Sequence, residues 1–357
     1  MAAEITGARA AGDAPTGAVA AQPPRCTPGD EDPADLACTG LYADATSLAL
    51  AEGVRAYRPA FELWSDGADK ARWIYLPPGS RIDASRMNDW VFPVGTRLWK
   101  EFRLPSTGAD GKARRIETRL LWKQAEDRWM RAVYAWSEDG ARAAQVKEGV
   151  AQVAGTDGYA IPAQTDCVRC HGGRVDEVLG FEAIQLAAPE ASGLTYAELS
   201  RLGLLDTGTS AAPAASALQV PGSDVERRAL GWLHANCGVS CHHPRGFAAH
   251  FEMRLEVGAD GKVGDVAASR VYATAINKPS KLRPTSAPAQ LAMYRIRPGD
   301  PERSTLFYSI ARRDPPGAPP EQMPPLATRR VDEAGVAAVR AWIGAMTPAA
   351  GYPRAAP

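Results

Sequence analysis

The run Ile116-Glu117-Thr118-Arg119-Leu120-Leu121-Trp122 interleaves apolar and charged residues in an alternating pattern. A period of two places neighbours on opposite faces of an extended chain, so this run reads as a β-strand. It follows a turn pair, Asp110-Gly111. Further toward the N-terminus, Arg72-Trp73-Ile74-Tyr75-Leu76 runs into Pro77-Pro78-Gly79, and Trp90-Val91-Phe92 runs into Pro93-Val94-Gly95. Seven of the nine tryptophans fall in this region, at 64, 73, 90, 99, 122, 129 and 136. Short aromatic and β-branched runs with turn signals every ~8–15 residues indicate an antiparallel β-domain, a sandwich or a barrel. The tryptophans read as core and strand-face residues rather than as sugar- or quinone-stacking platforms.

Past residue 160 the texture changes to Ala/Leu-rich segments and proline-rich loops. The pattern predicts short helices over 195–205 and 302–312, a linker over 210–221 and a strand-like region over 251–297. A helix over 224–236, capped by Ser223 or Asp224, carries Val225, Leu230 and Leu233 as its apolar positions. A last helix over 332–346 places Val336, Val339, Trp342 and Ile343 at helical spacing. The expected fold class is therefore α+β and multidomain: the N-terminal antiparallel β-domain, then mainly α-helical cytochrome c-like domains with a β insertion. The expected divisions are a leader at 1–45, the β-domain at 46–160, a cofactor segment and linker at 161–221, and a final domain at 222–350.

The scarce residues carry the chemistry. Six cysteines fall into three close pairs, Cys26 with Cys38, Cys167 with Cys170, and Cys237 with Cys241. The second pair reads Cys167-Val168-Arg169-Cys170-His171; the third, ending in Cys241-His242, has one more residue between the thiols. A C-x-x-C-H string would arise by chance only ~0.001 times in a chain of this composition. It is the attachment signature of c-type haem. Two thiols add to two vinyl groups, and the histidine that follows turns onto the iron. Two residues between the thiols let one helical turn present both sulfurs to one macrocycle edge, and a third is accommodated by loosening that turn. Zinc is the competing reading, with Cys167, Cys170, Cys237 and Cys241 as one all-cysteine site. A structural zinc site, however, has no need of a histidine directly after both pairs.

Haem attachment through thioethers takes place outside the bacterial cytoplasm, so the motifs imply export, with a periplasmic location expected. Cys26 and Cys38 fit as a pair that an oxidising compartment would join. The first 24 residues are rich in Ala, Gly and Pro and lack a basic segment ahead of an apolar stretch, so no signal peptide is visible there. No run of 18 apolar residues occurs, which excludes a transmembrane helix. Lys plus Arg equals Asp plus Glu at 41 each, giving no electrostatic reason to propose nucleic acid as a partner.

The iron ligands expected are His171 and His242, with Met323 in Met323-Pro324-Pro325-Leu326 as the sixth ligand of the second haem. No His or Met lies between His171 and His234, so His234 is the nearest candidate for the sixth position of the first haem. Met130, Met87 and Met253 are the others. The chain resembles a family of predicted exported bacterial dihaem c-type cytochromes with an N-terminal β-domain. The resemblance spans roughly residues 40 to 346. It rests on Leu63-Trp64-Ser65-Asp66-Gly67, Trp73-Ile74-Tyr75-Leu76-Pro77-Pro78-Gly79, Phe92-Pro93-Val94-Gly95-Thr96, the strand at 116–121, both cysteine motifs and Met323-Pro324-Pro325-Leu326. It implies two covalent haems c and no assigned substrate. The expected function is electron transfer with a redox partner protein; the alternative is a dihaem peroxidase-like enzyme with an open first haem.

Overall fold

The structure is a computed structural model that describes residues 26–105, 113–208, 211–287, 293–315 and 321–347. Residues 1–25 of the expected leader at 1–45, and the Asp110-Gly111 turn, lie outside the described residues.

A short hairpin, β1 (Tyr42–Asp44) and β2 (Ala49–Leu50), leads into the strands β3 (Val54–Arg58) and β4 (Asp69–Tyr75). After a two-residue β5 (Ile82–Asp83) come three long strands: β6 (Arg97–Pro105), β7 (Ala113–Ala125) and β8 (Arg128–Trp136). Then follow β9 (Ala143–Gln145), β10 (Ser192–Gly193) and β11 (Leu205–Asp206). Seven of these form one antiparallel sheet in the order β10-β3-β4-β6-β7-β8-β9. It is a single open sheet whose edge strands have two and three residues, in place of the expected sandwich or barrel. Such short edges leave little unpaired backbone for another chain to add to.

The quoted run 116–122 lies within β7, at the centre of the sheet. Its alternation sorts the two faces. Trp73, Trp99, Leu120 and Ala132 are cross-strand partners and form one apolar face with Tyr134 and Trp136. Leu36 and Leu41 cover it, carried by the segment that the Cys26–Cys38 disulfide closes. Tyr134 donates to the carbonyl of Pro33 at 2.9 Å, and Trp99 Nε1 donates to Thr39 Oγ1 at 3.0 Å.

The opposite face meets the rest of the chain. Ile74, Leu98 and Trp129 share one core with Phe181, Leu230, Leu233 and Trp342 from the later half. Among its described residues that half holds seven short helices: α1 (Cys167–His171), α2 (Ala183–Ala187), α3 (Tyr196–Arg201), α4 (Asp224–Leu233), α5 (Arg270–Ala275), α6 (Thr305–Ile310) and α7 (Glu333–Ala345). The expected mainly α-helical cytochrome c-like fold is thus overturned. The chain is sheet-rich, 24% helical and 22% strand, and only α4 and α7 reach ten residues. Proline is the physical reason. Pro279, Pro284, Pro298, Pro301, Pro315, Pro324 and Pro325 recur too closely for a helix to propagate, because each removes a donor and clashes with the preceding turn. Among its described residues the region over 251–297, expected to be strand-like, pairs only through isolated bridges such as Ile276 with Ile296 and contains α5.

Candidate functional site

The first motif occupies α1, entered through a turn at Gln164–Asp166. Gln164 N–H donates to Lys147 O at 2.8 Å, and its side chain donates to the carbonyl of Arg131, which fixes the turn to β8. The next loop is clamped to the sheet by a buried carboxylate, Asp176. It pairs with Lys123 Nζ at 2.9 Å, accepts from Phe92 N–H at 2.7 Å and accepts from Trp129 Nε1. Glu177 pairs with Arg131. This anchoring sets the position of Glu177 O, which lies 2.6 Å from His171 Nδ1. Nδ1 therefore carries the proton, and Nε2 is left with its lone pair. Burial first, then the nearby Lys100, Arg119 and Arg131 charges, pushes the imidazole down to about 4, so it is neutral at pH 7.

The second motif begins where α4 ends. Ser223 and Glu226 form a reciprocal capping box at its start. Beyond Leu233 the backbone widens into a π-type turn over His234–Gly238 that carries Cys237. A widened turn of this kind accommodates one extra residue, and π turns often mark functional positions. His242 Nδ1 lies 2.8 Å from Phe251 O, and the Phe251 ring packs edge-on at 5.1 Å. Burial lowers the His242 pKa as well. Both motif histidines thus share one arrangement, with Nδ1 tied to a backbone carbonyl and Nε2 left over. A protein builds this when it orients an imidazole for a metal.

The four motif thiols are free, whereas Cys26 and Cys38 are joined. Burial pushes the Cys237 thiol up to about 12, and burial also raises Cys167 and Cys170. The structure brings the two motifs together. The Cys241 thiol is close enough to Cys170 to raise its pKa. Gly173 has φ +87°, and a Cβ there would sit 2.5 Å from Arg245 O. Only glycine allows this approach of the two loops. Arg174 reaches Glu182 at 3.3 Å and the carbonyl of Asn88 at 3.2 Å.

His234 sits at the join, buried, between the two motif segments. Its Nδ1 accepts from Leu255 N–H at 3.0 Å, so the proton is on Nε2, which donates to Glu182 at 2.7 Å. Burial alone would raise Glu182, but His234, Arg174 and Arg254 outweigh it and hold the carboxyl well below the usual range. Both ring nitrogens of His234 are already committed to protein partners. Met323 packs at the edge of the main core, with its N–H donating to Ser309 O at 2.7 Å. Met130 lies on the Trp99 face of the sheet, facing away from Lys100 and Arg131. Met253 and Met87 pack into the main core.

Asp176, Glu182, Arg254, Arg174 and Glu177 are not marked by any motif in the sequence. Each has a partner 46 to 165 residues away, and no local pattern marks them. Among the described residues no three His, Cys, Asp or Glu side chains converge as a metal cage. The donor set does suit haem c: paired free thiols, each pair followed by a neutral imidazole oriented through Nδ1. A cavity of about 390 Å³ lies at the start of β4, lined by residues that include Glu62, Trp64, Lys70 and Asp332. No helix among the described residues is long and apolar enough to cross a membrane. No protein-family model, curated protein or solved structure matches the chain.

Proposed function

We propose that the protein is an exported dihaem c-type electron carrier. The observation that carries this reading is the duplicated arrangement of free thiol pair and Nδ1-anchored imidazole, at His171 and at His242. Cys167 and Cys170 would hold one haem, and Cys237 and Cys241 the other. Haem c supplies a one-electron iron couple when bound. The chain's own groups do the rest. Glu177 O and Phe251 O hold the two imidazoles in one tautomer with Nε2 outward. The contact through Gly173 keeps the two attachment segments side by side, which suits passage of single electrons between centres. A redox protein would dock weakly, since zero net charge provides no strong long-range steering. Export accords with the joined Cys26–Cys38 pair.

One observation favours the enzyme reading, a peroxidase-like open first haem. His234, the nearest candidate for the sixth position, is engaged by Glu182 and Leu255. Potentiometry and spin-state spectra of protein matured in a haem-attaching periplasm separate the two readings. Two reversible one-electron waves with low-spin iron support the carrier. A high-spin centre with peroxide turnover replaces it with the enzyme.

A further inference from the structure

One face of the sheet carries an unusual row of cations beside the first motif. Arg72, Lys100 and Arg119 are direct cross-strand partners on β4, β6 and β7, and Lys70 lies two residues from Arg72 on the same face. Like charges placed opposite one another destabilise a sheet unless something neutralises them. Arg119 is satisfied by Glu117, through two bonds of 2.9 and 2.6 Å. Lys70 and Arg72 share a single carboxylate, Glu62, at 3.6 and 3.5 Å, and that carboxylate is already bonded to Arg58 at 2.9 Å. Lys100 has no carboxylate within 4.0 Å among the described residues; it lies 4.9 Å over the Phe102 ring.

With Arg58, five cations therefore face two carboxylates, Glu62 and Glu117. Lys100, with no carboxylate, and Arg72, which shares one with Arg58 and Lys70, are left short of an anion. Arg72 is 5% exposed in its side chain, and its Nη1 is buried with no hydrogen-bond partner. An unpaired buried cation is costly, so a group outside the described chain would be expected to complete the set. Burial, with Arg72, Arg119 and Lys70 around it, holds Lys100 well below the usual lysine range, which an added anion would reverse.

The row also points to where that anion comes from. Lys100 and Arg119 lie over the Phe102 ring at 4.9 and 4.4 Å, and Cys167 packs against the cluster that holds Phe102, so this end of the row lies at the first motif. From Arg119 to Arg72 is two strand spacings, about 10 Å, comparable to the span of a tetrapyrrole. A macrocycle held by its vinyl edge carries two carboxylates on the opposite edge. Lys100, without a carboxylate, and Arg72, with its unpartnered Nη1, are two sites for two carboxylates. We propose that Lys100 and Arg72 are the receptor for the two propionate carboxylates of the haem attached at Cys167 and Cys170. This rests on the haem reading of the first motif.

The test uses the matured holoprotein and its Lys100→Met and Lys100→Arg variants. Pyridine haemochrome gives the haem count, resonance Raman reports the propionate bending mode, and potentiometry across about pH 5–8 reports linked protonation. Removing a cation beside an iron favours the ferric state, so K100M lowers the midpoint potential of one haem and leaves the other unchanged. It also releases a carboxylate whose pKa then rises into the measured range, so that potential becomes pH-dependent and the propionate mode shifts. K100R retains the wild-type values. Should K100M not accumulate, Arg72→Met is read in the same way, against Arg72→Lys. Two haems per chain with unchanged mode, potential and pH profile in K100M would overturn the proposal while leaving the haem reading standing. Absence of haem in the wild type would overturn both.

Discussion

Asp176→Ala tests how the first motif is held. Asp176 is buried, and its partner Lys123 is 1% exposed in its side chain, so the substitution leaves an ammonium group without a counter-ion inside the core. It also strips acceptors from the Phe92 N–H and the Trp129 indole. Breaking a buried pair from one side costs about 3–5 kcal/mol, more than the pair is worth as a whole, because the remaining charge is stranded. The asymmetry supplies the control. Lys123→Met in the Asp176→Ala background removes the stranded charge and recovers about half of the loss or more. Chemical denaturation of the three chains measures this, with unchanged denaturant slopes required for a clean comparison. The same loop presents Glu177 O to His171, so Asp176→Ala also loosens the imidazole orientation. A loss below ~1 kcal/mol, or a double variant no better than the single, would refute this account of the anchor.

Three further outcomes follow from other contacts. Gly173→Ala combines a left-handed φ with a Cβ 2.5 Å from Arg245 O, so thermal and chemical unfolding should show a loss of at least ~1 kcal/mol. Replacing both Cys26 and Cys38 with serine removes a cross-link spanning 12 residues and costs about 3 kcal/mol by loop-closure entropy, with the haem count unaffected. Burial raises the Tyr57 phenol from 10.0 to about 12, so the unfolded chain ionises first and stability falls as pH rises from 10 through 12. Tyr57→Phe should remove that share of the alkaline loss in denaturation curves taken across this range.

Much of the sheet was legible because its information is local. Alternation in 116–122 marks β7, and the tryptophans at 73, 99 and 136 are buried where a strand-face reading puts them. The Ser223 cap likewise starts α4 where the sequence places it. The later half departs from the expected mainly α-helical fold although helices stand at Asp224–Leu233 and Glu333–Ala345, because the proline-rich segments between them form only short helices and isolated bridges. The site was half legible. Spacing identifies the thiols and imidazoles, but it says nothing of how Glu177 O and Phe251 O orient them. Nor does it reveal that Arg72, Lys100 and Arg119 lie side by side, because that neighbourhood exists only once three strands are in register.

The most direct measurement is the intact mass of the chain purified from a periplasm that attaches haem, compared with a chain in which Cys167, Cys170, Cys237 and Cys241 are all serine. Two haem masses on the former and none on the latter is the result expected. An unmodified mass from the wild-type chain would contradict the assignment of both motifs.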